Sequence, residues 1–106
     1  MNRDRLADWQ KTFRKELLDN VIPFWMAHGW DRENGGVRTY LARDGKPCSN
    51  IKGVWAQGRF MWMLSYLNNT YGENREWMAA AESCKRFIEA HCFAPDGRMY
   101  FLVTDD

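Results

Sequence analysis

The chain has 106 residues, 45% of them hydrophobic, with six Trp and six Phe, a composition that supports one small globular domain. Fifteen basic and fourteen acidic side chains are interspersed to a formal net charge of +1, so no basic stripe exists to neutralise phosphates and nucleic acid is excluded as an expected partner. The longest apolar stretch, residues 60–67, contains Ser65 and falls far short of the roughly 20 residues that span a bilayer, so no membrane partner is expected.

In chain order, Leu6, Trp9, Phe13, Leu17, Asn20 and Phe24 fall on one helical face. This predicts a first helix from about Arg3 to Ala27, buried on that side, with Pro23 kinking it or starting a fresh turn. The charged start, from Met1 to Arg5, lacks an apolar signal core, which points to a cytoplasmic protein. Asp31-Arg32-Glu33-Asn34-Gly35-Gly36 concentrates turn formers and reads as a loop. Val37 to Ala42 then alternates like a strand, and Asp44-Gly45 is a hairpin turn signal.

Ser49 or Asn50 is expected to cap a second helix over residues 51–71, stopped by Gly72. Asn74 is expected to cap a third, on which Trp77, Ala81, Cys84, Ile88 and His91 share a face, ending near Cys92. After a turn at Ala94-Pro95-Asp96-Gly97, residues 99–104 have strand propensity, and that strand is expected to lack a partner. The two Asp-Gly turns give a repetitive look, as in arrays of helical hairpins, and more chain is expected beyond these residues. A self-contained three-helix domain is the alternative.

The second helix carries the most informative residue. Trp55, Arg59, Trp62 and Tyr66 lie within an arc of about 60° at a helical step, so a guanidinium with a fixed fork of donors is ringed by aromatics. That combination suits a sugar. Otherwise Arg59 reaches past the rings to water, or rests on one of them and on a carboxylate from elsewhere.

Other motifs invite bland readings. Asp31 and Glu33 have no fixed separation in a loop and serve the turn, whereas paired carboxylates for sugar hydrolysis need a set distance. Gly35 and Ala42 occupy positions where a calcium loop needs ligands, and no Gly-Lys-Ser/Thr follows Gly35-Gly36. Cys48, Cys84 and Cys92 are odd in number without CxxC spacing, and Cys84 and Cys92 would lie about 12 Å apart along one helix. They read as buried, reduced thiols, and no metal site is expected. His28 and His91 read as structural.

The run Lys52-x-x-Trp55-x-Gln57-Gly58-Arg59-x-x-Trp62, after the Asp31-x-Glu33-x-Gly35-Gly36 loop and the Asp44-Gly45 turn, resembles the N-terminal part of the N-acylglucosamine 2-epimerase family. Phe24-Trp25, His28, Trp77, Ala81, His91, Asp96-Gly97-Arg98, Tyr100-Phe101 and Val103-Thr104-Asp105 extend the match over nearly the whole chain. Cellobiose 2-epimerases are similar in the same region, and Gly53 and Ala56, where bulkier residues are common, leave the subgroup open.

The resemblance implies an all-α fold, the N-terminal portion of an (α/α)6 barrel, with residues 1–106 supplying about three helices and short β-hairpin segments of one incomplete domain. It implies inversion at C2 of an aldose by proton removal and return, without cofactor or metal. The catalytic histidines of the family lie on later helices, so no catalytic residue is expected in this chain. Arg59 matches the family's sugar-contacting arginine, and Trp55 is expected to line the pocket or the core. Lys52 is expected to be solvated or ion-paired at the helix start. The expected partner is a small sugar, with a homodimer left open. The rivals are another (α/α)6 sugar enzyme, such as a glycoside hydrolase, and a non-enzymatic helical-repeat binding module.

Overall fold

The computed structural model describes residues 2–105. Helix α1 (Arg3–Glu16) opens on Asn2, whose Oδ1 accepts the Arg5 N–H at 2.9 Å, with Asp4 in its first turn and Arg14 and Lys15 in its last. These charges oppose the helix dipole at each end. A π-helical turn (Leu17–Val21) follows, in which the Ile22 N–H reaches the Leu17 carbonyl, and α2 (Ile22–His28) continues with Pro23 in its first turn. Proline has no N–H and its ring crowds the carbonyl four residues back. The widened turn just before it relieves that crowding without interrupting the helical path.

The expected burial of the first helix is corrected. Leu6, Trp9 and Phe13 are exposed, α1 buries no residue, and the buried side chains are Ile22 and Met26 of α2. An apolar stripe creates the capacity for burial, but along α1, among the described residues, only the edge of Tyr71, under Arg14, approaches it, and the stripe first packs on the core at Leu17.

Residues 29–50 form loops. The predicted strand over Val37–Ala42 does not form: isolated bridges join Trp30 to Val37 and Leu41 to Pro47, with the Asp44-Gly45 turn between the latter two. Pro47 has no donor to extend a ladder, so the hairpin stays short.

The second helix also begins later than expected. Residues Ile51–Gly53 form strand β1, and α3 (Val54–Tyr71) starts from Gly53, with neither Ser49 nor Asn50 as its cap. Ser49 Oγ instead accepts the Ile51 N–H at 3.0 Å. The cause is the final strand β2 (Leu102–Thr104), which pairs antiparallel with β1, Lys52 opposite Val103. The strand expected to stand alone therefore has a partner.

A short link through Gly72, where φ is +104°, joins α3 to α4 (Arg75–His91). Asn74 caps α4 as expected, its Oδ1 accepting the Trp77 N–H at 3.1 Å. The two helices pack as a hairpin around Phe60, Leu64, Leu67, Ala80, Ala81 and Cys84, with Ile22, Met26 and Val37 closing one side. Val54, Phe87 and Cys92 form a smaller cluster beneath the strands. On α4, His91 is exposed and Phe87 takes the buried place. Cys84 and Cys92 are buried free thiols, whereas Cys48 is exposed, against expectation. No helix is long and apolar enough to cross a membrane among the described residues.

Candidate functional site

The N-terminal half of α3 forms one side of a groove of about 880 Å³, and the opposite wall is the segment leading into β2. Val54, Trp55, Arg59 and Trp62 line the helix side, Met99, Tyr100, Phe101 and Leu102 the strand side, and Thr39 and Tyr40 one end. The β1–β2 pairing creates this arrangement, because it returns the chain to α3 and the Val54 N–H donates to the Phe101 carbonyl at 3.0 Å.

Trp55, Arg59, Trp62 and Tyr66 all lie exposed on one face, as their spacing predicts. The Arg59 guanidinium carbon sits 4.9 Å from the Trp55 ring centroid, and no carboxylate pairs with it among the described residues. Trp62 and Tyr66 stack at 5.3 Å, with Tyr66 outside the groove. Gly58 leaves open space beside the arginine, since a Cβ there would meet nothing within 4 Å. On its other flank Arg59 borders an apolar hollow of about 260 Å³ lined by Ile22, Trp25, Val37, Phe60 and Met63. The result is a charged fork with free donors between two apolar surfaces, one broad and aromatic. Its chemistry suits a molecule that has both apolar C–H faces and clustered oxygens.

Beneath the groove runs a polar frame. Gln57, fully buried, accepts the Val37 N–H at 2.7 Å and donates to the Val37 carbonyl at 2.8 Å, pinning the loop to α3. Gly36, at φ +75°, lies so close to Gln57 and Phe87 that an added Cβ would crowd both. Asp31 serves the turn as expected, its Oδ1 accepting the Glu33 and Asn34 N–H groups, and it also pairs with Arg38 at 3.2 Å and Lys52 at 2.8 Å. Burial would raise the Asp31 carboxyl, but the Asn34 hydrogen bond, the Lys52 hydrogen bond and the charges of Lys52 and Arg38 outweigh it and hold it below the usual carboxylate range. Lys52, expected as solvated or ion-paired, is buried and paired.

Spacing along α3 finds Trp55 and Arg59 but not the opposite wall, because Tyr100 and Phe101 reach the groove only through strand pairing. Gln57 left one trace in the sequence, an amide among the apolar residues of a helix. His28 packs on Phe24 and His91 on Phe87, and neither lines the groove. Among the described residues no cluster of His, Cys, Asp and Glu could hold a metal ion.

No family model matches the chain. It is 39% identical to N-acylglucosamine 2-epimerase of Rattus norvegicus over 98% of its length and 26% of the relative's, and 36% identical to that of Homo sapiens over 98% and 25%. In structure it resembles a sugar epimerase from a ruminal bacterium, with a TM-score of 0.77 at 31% identity over 90% of this chain and 24% of that one. Cellobiose 2-epimerase of Spirochaeta thermophila gives a TM-score of 0.85 at 23% identity over 98% and 26%, a likeness of fold. The resemblance expected from the sequence thus holds through nearly the whole chain, and the fold is that of a piece of these epimerases, mostly helical with a short antiparallel strand pair. The chain spans about a quarter of the length of the curated relatives it matches.

Proposed function

We propose that residues 1–106 form the N-terminal portion of a single (α/α)6-barrel domain in a sugar 2-epimerase that inverts C2 of an aldose. The observation that carries this reading is Arg59: a guanidinium without a carboxylate partner among the described residues, set against Trp55 at the edge of a groove, in a chain 39% identical to a named 2-epimerase.

The chemistry begins with the open-chain aldehyde. A base takes the proton from C2, the C–H electron pair moves into a C1–C2 double bond, and the aldehyde oxygen becomes the negative end of an enediolate. Return of a proton to the opposite face of C2 gives the epimer. The role of Arg59 is to hold the oxygen that gains charge, since its fork of donors is fixed before the charge appears. Trp55 offers a flat apolar face to the C–H side of the sugar. The base and acid are assigned to histidines in the remainder of the parent protein, consistent with His28 and His91 lying off the groove. Neither a cofactor nor a metal has a part in these steps. A cytoplasmic location accords with three free thiols, and a small sugar is the partner.

The test is solvent exchange at C2. The full-length parent in deuterated water should incorporate deuterium at C2 of its aldose. Arg59→Ala should slow that exchange by about 10²–10³-fold, with Arg59→Lys intermediate because it keeps charge but loses the fork. Unchanged exchange per folded molecule in Arg59→Ala would remove the arginine from the chemistry. A fall in melting temperature at normal exchange would return it to a packing role against Trp55.

A further inference from the structure

Lys52 is 1% exposed and is the largest fully buried side chain among the described residues. Its ammonium has three protons and three oxygens at 2.8 Å: it donates to Asp31 Oδ2 and to the Gly35 carbonyl, and forms an ion pair with Asp105 Oδ1. The face of Phe87 lies 4.7 Å away. With two protons donated, its charge paired to Asp105 and no place in the lining of the groove, Lys52 can touch no sugar. It acts through what it ties together.

The ties all belong to the frame of the groove. Lys52 sits in β1, directly before the Gly53 cap of α3, and Asp105 sits directly after β2. The groove's two walls leave from the same short ribbon, Trp55 and Arg59 from one strand and Tyr100 and Phe101 into the other. A ribbon of two three-residue strands is marginal without side-chain support. The ion pair of Lys52 with Asp105 links β1 to the residue after β2, and the hydrogen bond to Asp31 anchors β1 to the loop behind it.

We propose that Lys52 is a positioning residue. Its ion pair with Asp105 clamps the wall carrying Tyr100 and Phe101 to the first turn of α3, fixing the gap across which Arg59 and Trp55 meet the sugar. The inference rests on the groove being an aldose site, so its test includes a readout that needs no sugar.

The informative variant is Asp105→Ala in the full-length parent, because it releases the wall and leaves the Lys52–Asp31 pair in place. Turnover for C2 exchange should fall tenfold or more per folded molecule, with KM changing less than about threefold, because displacement of a reacting group by about 1 Å can cost 10²-fold. The Val54 amide, bonded to Phe101, should exchange its hydrogen at least tenfold faster, while amides in the middle of α4 keep their protection. Asp105→Glu, which retains the carboxylate, should recover most of the turnover. Unaltered exchange at Val54 would overturn the clamp whatever the activity. Faster exchange at Val54 with normal turnover would leave Lys52 structural and overturn its positioning role. If the wild-type parent exchanges no aldose C2 proton, the epimerase reading fails and the Val54 amide alone decides the clamp.

Discussion

Asp31 shows how much one buried carboxylate can organise. It closes its own loop through two backbone N–H groups, and it neutralises two cations of which one is buried. Removing its charge strands Lys52 with less compensation, and breaking a buried pair from one side costs about 3–5 kcal/mol. Asp31→Asn is therefore expected to lower stability by that order, read by denaturant unfolding. The pH dependence has a definite sign. Because the folded carboxyl titrates below its ordinary value, its contribution is complete at neutral pH and is lost as pH falls from about 4 through the lowered value. Asp31→Asn should flatten that acid limb. A variant with the same acid limb as the parent chain would show that other carboxylates dominate it.

The cysteines give a second check at this scale. Burial pushes the Cys84 thiol up to about 12, slightly opposed by the charge of Lys52, and burial also raises Cys92. Only thiolates react quickly. An alkylating reagent at pH 8 is expected to modify Cys48 alone in the folded chain and all three residues in denaturant. Rapid loss of three thiols under native conditions would contradict this burial. From the sequence, Arg59 was legible because its neighbours recur every turn of one helix. For Lys52 an ion pair was one of the two expectations, but its burial and its partners were not legible, since Asp31 lies 21 residues away and Asp105 is farther still.

At the scale of elements, local signals located what local physics decides. Asn74 caps α4, Gly72 ends α3 with positive φ, and Asp44-Gly45 turns the hairpin, each a matter of a few adjacent residues. Asn74→Ala should accordingly cost about 1 kcal/mol. Gly45→Ala should cost more, because φ there is +92° and an added Cβ would run into the His28 imidazole. Comparing the two by thermal unfolding checks the order, and a Gly45→Ala change gentler than Asn74→Ala would mean that the hairpin moves aside freely. The start of α3 was misplaced for a different reason. Residues 51–53 can be helix or strand, and the choice is made by β2, half the chain away. The alternation over Val37–Ala42 misled in the opposite direction, as no neighbouring strand offers it a ladder.

For the whole molecule, shape is the informative quantity. The radius of gyration is 15.8 Å, against about 13 Å for a compact domain of this length, and the long axis is 54 Å by 28 Å across. Helix α1 buries nothing, presenting Leu6 at 53%, Trp9 at 46% and Phe13 at 63% exposure. The barrel likeness was legible through the resemblance and the apolar stripe through its period, but what covers α1 is not encoded in α1 itself. A stripe of this kind is an association surface in water. The chain expressed by itself is expected to bind a hydrophobic dye and to self-associate in sedimentation. Replacing Leu6 and Phe13 together with Glu and Lys should weaken both, leaving the dye bound at the aromatic groove, and it should shift unfolding by less than about 1 kcal/mol because neither side chain is buried in the monomer. The full-length parent should bind the dye weakly if its remaining chain lies against α1. A chain that sediments as a monomer and leaves the dye dark would overturn this account, because α1 would then have to fold its apolar face onto the rest of the molecule.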